Sequence, residues 1–128
     1  MKRGGHLRVA LAGVFALAAL ALSAATALAL TDVKSTVVIT AGGASRFEGR
    51  VSSPRNFCEP GRDVKLYREI EQGSFELVEE DATNGDGEWR IRGDFRAGNY
   101  RALVVEKKVT HDRQKYLCKI DRSPVFRG

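Results

Sequence analysis

The sequence predicts an all-β protein, an antiparallel seven-stranded sandwich preceded by a helical export signal. Three observations predict it. After residue 34, apolar and polar residues alternate with period two in short runs, the mark of half-buried strands. Turn-forming clusters rich in Gly, Asn and Asp separate those runs at regular spacing. No stretch after the N-terminal signal carries helical periodicity, and strands without intervening helices pack sheet on sheet.

The N-terminus carries Lys2, Arg3 and Arg8 and no acid before Asp32. A run of Ala, Leu and Val follows from Val9, and small residues lead to Ala27-Leu28-Ala29. A basic start, an apolar centre and an A-x-A end make a secretory signal, with cleavage expected after Ala29. The uncharged run of 22 residues from Val9 to Leu30 is also long enough for a retained membrane anchor. The small residues favour cleavage, and either outcome puts the domain outside the cytoplasm. The chain thus divides into residues 1–29, the signal, and residues 30–128, one β-domain. Removing the signal takes 21 basic residues to 18 against 16 acids, so the net charge falls from +5 to +2. That balance is no argument for nucleic acid.

The expected strands follow in order. Ser35–Thr40 is β-branched. Arg46–Ser52 alternates, with Phe47, Gly49 and Val51 on one face and Arg46, Glu48 and Arg50 on the other. Pro54 and residues 56–61 form a loop holding Cys58. Asp63–Arg68 turns Val64 and Leu66 inward, and Phe75–Glu79 places Phe75 and Leu77 on one face. Asn84-Gly-Asp-Gly87 supplies the positive φ angles of a hairpin turn. Glu88–Arg92 sends Trp89 and Ile91 inward. Asn99–Glu106 sends Tyr100, Ala102 and Val104 inward and leaves Leu103 and Val105 on the opposite face, either covered or a partner surface. Lys107–Gln114 reads as a charged loop. Lys115–Ile120 puts Tyr116, Cys118 and Ile120 on one face, and Pro124 is expected to end the regular structure. The core should form around Phe47, Val51, Leu66, Trp89, Ile91, Tyr100 and Val104.

Two cysteines in an exported chain predict one disulfide, Cys58–Cys118. If consecutive strands alternate in direction, the loops holding residues 53–62, 81–87 and 107–114 share one end. That end also lets the two cysteines meet.

Gly49-x-Val51, Val64-x-Leu66, Thr83 with Asp86-Gly87-x-Trp89, and Gly98-x-Tyr100 together resemble the carboxypeptidase regulatory-like and Cna-B-type domains of secreted proteins. The resemblance implies a transthyretin-like or immunoglobulin-like (prealbumin-like) sandwich and a non-catalytic accessory or adhesion module. The last strand lacks the Asn that an internal Lys–Asn isopeptide bond of the Cna-B kind requires.

No residue pattern specifies an enzyme, a cofactor or a metal. His111 is the one histidine after the signal, and no local partner completes a nucleophile–base pair. Asp81, Asn84, Asp86 and Glu88 fail the EF-hand pattern, because Ala82 and Gly93 fall where oxygen ligands are required. A hairpin turn explains these residues better. Arg90, Arg92, Arg96 and Arg101 form an outward stripe with acids such as Glu48, Glu76, Glu79 and Glu80 available to pair it. The expected binding pole is Arg55, Asn56, Lys107, Lys108, His111 and Arg113 beside Asn84 and Asp86. The function expected is a small secreted binding or structural module of the cell envelope or extracellular space. A cationic binder of acidic wall polymers is the alternative, with an enzyme inhibitor or hydrolase behind it. The expected partner is an extracellular protein or an acidic envelope polymer.

Overall fold

The computed structural model describes residues 29–128. The expected signal therefore lies, except for Ala29, outside the described residues, and no helix among them is long and apolar enough to cross a membrane. The described chain is all-β and sandwich-like. It holds eleven strands: β1 Thr31–Val33, β2 Thr36–Gly42, β3 Arg46–Ser52, β4 Asp63–Glu71, β5 Ser74–Ala82, β6 Glu88–Arg92, β7 Asn99–Val104, β8 Lys107–His111, β9 Gln114–Cys118, β10 Asp121–Arg122 and β11 Phe126–Arg127. A single 3₁₀ turn, Asn56–Cys58, interrupts the β3–β4 connection.

Two sheets enclose the core. One runs β2-β3-β6 and the other β10-β7-β4-β5, with β11 also paired to β7. A third, small sheet runs β1-β9-β8. All pairings are antiparallel except β1 with β9. The seven expected core residues are all buried, and Val37, Val64 and Ala102 join them. Trp89 lies across from Gly49 in the β3–β6 register. A Cβ on Gly49 would sit 2.4 Å from the indole and 2.0 Å from the Val38 carbonyl, so glycine is what lets the ring lie flat on β3. Phe47 packs against Tyr100 with ring centroids 4.3 Å apart. The Tyr100 hydroxyl donates to the Arg96 carbonyl four residues back, which pins the 93–98 turn.

Eleven strands replace the expected seven, the additions being β1, β8, β10 and β11. Residues 107–114 are not a loop. They form β8, a two-residue turn and the start of β9. Asp112 and Arg113 both adopt positive φ, 49° and 66°, the geometry that a tight hairpin demands and that Gly or Asn usually signals. Pro124 does not end the regular structure. Just before it, Ser123 donates its amide to the Ala102 carbonyl and accepts the Ala102 amide on its hydroxyl, bridging the gap in the ladder. β11 then resumes beside β7, and Gly128 exchanges two hydrogen bonds with Gly98.

Phe75 and Leu77 share a face, but it is the outer one. The β4–β5 register shifts opposite Leu66 and Tyr67, and Val78 packs on the core instead. Leu77 is left 45% exposed. β9 stops at Cys118, so Ile120 does not join Tyr116 and Cys118 and is also 45% exposed. Leu103 and Val105 are half-buried, and Leu103 lines a shallow hollow with Tyr67, Phe75, Arg101 and Arg122.

The β4–β5 turn carries a titratable brace. The Asn99 side-chain amide donates to Glu69 Oε1 and the Gly73 amide to Glu69 Oε2, each at 2.9 Å. These bonds, Asn99 first, hold the Glu69 carboxyl below its usual range. A carboxylate with a depressed folded pKa contributes stability above its unfolded pKa, and that stability is lost as pH falls through the folded one. Asn99→Ala is expected to move the Glu69 titration upward in NMR, and the stability difference from the parent should vanish in strong acid.

Candidate functional site

The two loops and the β8–β9 hairpin that replaces the third meet at one end. Arg62, immediately before β4, is fully buried there. One terminal nitrogen of its guanidinium donates to Ser35 Oγ at 2.8 Å and to the Cys58 carbonyl at 2.7 Å. The other donates to the carbonyls of Val105 (2.9 Å), Lys119 (3.1 Å) and Cys118 (3.5 Å). The planar fork of arginine reaches several acceptors at once, which the point charge of lysine does not. Burial pushes the Arg62 pKa down and the neighbouring Asp63 charge opposes that, yet an arginine stays protonated at neutral pH.

Thr83 couples the β5–β6 turn to the same centre. Its hydroxyl accepts the Arg62 amide at 2.8 Å and donates to the Glu59 carbonyl at 2.6 Å. Its amide donates to the Arg62 carbonyl, and its carbonyl accepts the Gly61 amide. The Cys58–Cys118 disulfide closes the arrangement with Cα atoms 5.6 Å apart, and both cysteines are wholly buried. Around it lies a second small core of Val33, Tyr116, Phe57 and Val109, which seats the small sheet on the sandwich.

Of the expected pole residues, Arg55, Asn56 and His111 line one open hollow with Pro54 and Phe57. Asn56 also lines a second hollow with Arg50, Glu59, Gly85, Asp86 and Glu88. The His111 ring stacks on Phe57 at 4.5 Å, and His111 Nε2 lies 3.4 Å from Asp112 Oδ2. Lys107 Nζ donates to the Gly61 carbonyl at 3.1 Å, tying β8 to the β3–β4 connection. Lys108 and Arg113 sit further along the hairpin and line neither hollow. Asn84 serves its own turn: its side-chain oxygen accepts the amides of Asp86 (3.0 Å) and Glu88 (2.9 Å). Among the described residues no group of three or more His, Cys, Asp or Glu is placed to hold a metal.

On the outer face of β3 and β6, Glu48 pairs with Arg90 at 3.1 Å and Arg46 at 4.0 Å, and Glu88 pairs with Arg50 at 3.5 Å. Arg101 lies 4.9 Å from the Phe75 ring centroid, a cation–π contact. Along the β8–β9 hairpin, by contrast, Lys108, Arg113 and Lys115 are exposed and form no ion pair among the described residues.

Arg62 and Phe57 escaped the sequence reading, which named Ser35 and Thr83 only as strand and motif residues and not as partners of a buried arginine. For Arg62 a signal existed: in period two it shares the parity of Val64 and Leu66 and so falls on the inward face. No family model, curated protein or solved structure matches the chain.

Proposed function

We propose that this chain is an exported, non-catalytic binding module of the cell envelope or extracellular space that takes an anionic partner on the β8–β9 hairpin. The observation that carries this reading is the gathering of three exposed cations without carboxylate partners on one hairpin. The arginines at positions 46, 50 and 90 have carboxylate partners, whereas Lys108, Arg113 and Lys115 stand together without any. The hairpin holding them is anchored by the disulfide and by Arg62. A rigid cationic ribbon meets a polyanion with little ordering cost.

A buried disulfide supports export. The accessory-module role, with a transthyretin-like or immunoglobulin-like sandwich, extends the resemblance to carboxypeptidase regulatory-like and Cna-B-type domains. Its support is the seating of Trp89 over Gly49 and the turn at Gly87, φ 78°. Non-catalysis is supported by the use of both thiols in the disulfide and by the contacts of His111, whose ring is held against Phe57 and whose Nε2 faces Asp112.

The test is retention of the exported protein on isolated anionic wall polymer. We expect binding at low salt and release at moderate salt, since exposed charges are screened beyond ~10 Å at 0.1 M. Absence of retention contradicts the anionic partner. Hydrolase activity that disappears in a His111→Ala variant contradicts non-catalysis.

A further inference from the structure

Two edge strands of opposite charge are left open by the fold. β5 is the outer strand of its sheet and β8 the outer strand of the small sheet. β5 carries Glu76, Glu79, Glu80 and Asp81 and no basic residue. β8 carries Lys107, Lys108 and His111 and no acid. Charged residues on an edge strand oppose edge-to-edge aggregation. Here each edge repels its own kind, yet the two kinds attract.

The backbone of β8 is set up to pair. A two-residue turn makes His111 and Gln114 the last hydrogen-bonded pair of the hairpin, so by alternation Lys108 and Thr110 direct their amides and carbonyls away from β9. β5 bulges at Val78, where its register on β4 shifts, and the Asp63 carbonyl accepts the Val105 amide on the β7 side, so Leu66 bonds Glu79 while Leu77 and Glu80 direct their backbone groups outward. Antiparallel alignment across that bulge places Thr110 opposite the exposed Leu77, Lys108 opposite Glu80 and Lys107 opposite Asp81. Both lysines then meet carboxylates, and β-strand addition at a sheet edge is an established mode of recognition.

We propose that copies of this chain associate head to tail, the β8 edge of one pairing antiparallel with the β5 edge of the next. Because the two surfaces differ, the contact is heterologous and each copy keeps one free edge, so the product is a ring or an open chain rather than a closed two-fold dimer. This interaction shares Lys108 with polymer binding but also requires the β5 acids and the free backbone of β8, which polymer binding does not.

Sedimentation of the exported protein over a concentration series tests it. The expected result is association beyond a dimer at low ionic strength, lost near 1 M salt, where the Debye length is ~3 Å. Reversing one edge, Glu80→Lys with Asp81→Lys, turns two attractive cross-strand pairs repulsive and is expected to weaken association at least ~10-fold. Lys107→Glu with Lys108→Glu does the same, and mixing the two reversed proteins restores association. Thr110→Pro removes the outward amide at a position where an edge strand tolerates proline. It should abolish association while leaving retention on wall polymer intact. A monomer at millimolar concentration, or association indifferent to the β5 reversal and to Thr110→Pro, overturns the proposal.

Discussion

Arg62→Ala is expected to lower the unfolding free energy by about 3–5 kcal/mol, because it leaves several buried acceptors without a donor. The guanidinium serves Ser35 Oγ and four backbone carbonyls drawn from the β3–β4 connection, the end of β7 and the end of β9. Each buried acceptor left without a donor costs about 1–3 kcal/mol. Relaxation and water entry recover part of the sum. Arg62→Lys preserves charge but loses the fork, so it should fall between alanine and the parent. Urea unfolding midpoints at constant slope distinguish the three. Parent-like stability in both variants would remove Arg62 from the account.

The second large effect belongs to the disulfide. Cys58→Ala with Cys118→Ala opens a loop of 60 residues, and loop-closure entropy assigns it ~4 kcal/mol. For a small domain with about 5–15 kcal/mol in total, that loss moves the protein toward the unfolding threshold. The two effects should not add. Arg62 donates to the carbonyls of both bridged cysteines, so losing the bridge loosens the acceptors Arg62 needs. A double-mutant cycle should return a coupling of about 0.5–3 kcal/mol. A coupling near zero would mean that the two act independently.

Much of this fold was legible in the alternation of single strands. Phe47, Val51, Trp89 and Ile91 declare their inward face within runs of five to seven residues, and the core follows from them. The disulfide was legible from two cysteines and an N-terminus that reads as an export signal. What escaped depends on partners distant in sequence. β8 shows no apolar alternation, because only Val109 touches the small core, and its turn uses Asp112 and Arg113 where glycine or asparagine would have announced it. β11 is held by β7 across a proline, a pairing that Ser123 makes possible. The outward placement of Phe75 and Leu77 depends on a register shift that no local pattern reveals. Arg62 had the parity of an inward residue, but its charge argues for the surface, since an arginine is almost never fully buried unless its donors are matched.

The same division applies to the pole. Its gathering at one end was legible from strand alternation, and Arg55, Asn56 and His111 do converge. Its internal use was not. Asn84 is committed to its turn and His111 to Phe57. Of the expected cations, Lys108 and Arg113 lie on the hairpin with Lys115, exposed and without an ion pair among the described residues.

The most direct test compares two charge-removal variants for affinity to isolated anionic wall polymer across a salt series. Lys108→Gln, Arg113→Gln and Lys115→Gln remove the unpaired hairpin cations. Arg46→Gln, Arg50→Gln and Arg90→Gln remove the same number from the paired face. The account predicts that the hairpin variant loses at least ~10-fold in affinity and most of its salt dependence, while the paired-face variant stays close to the parent. Equal losses in both variants, or a larger loss on the paired face, would contradict it.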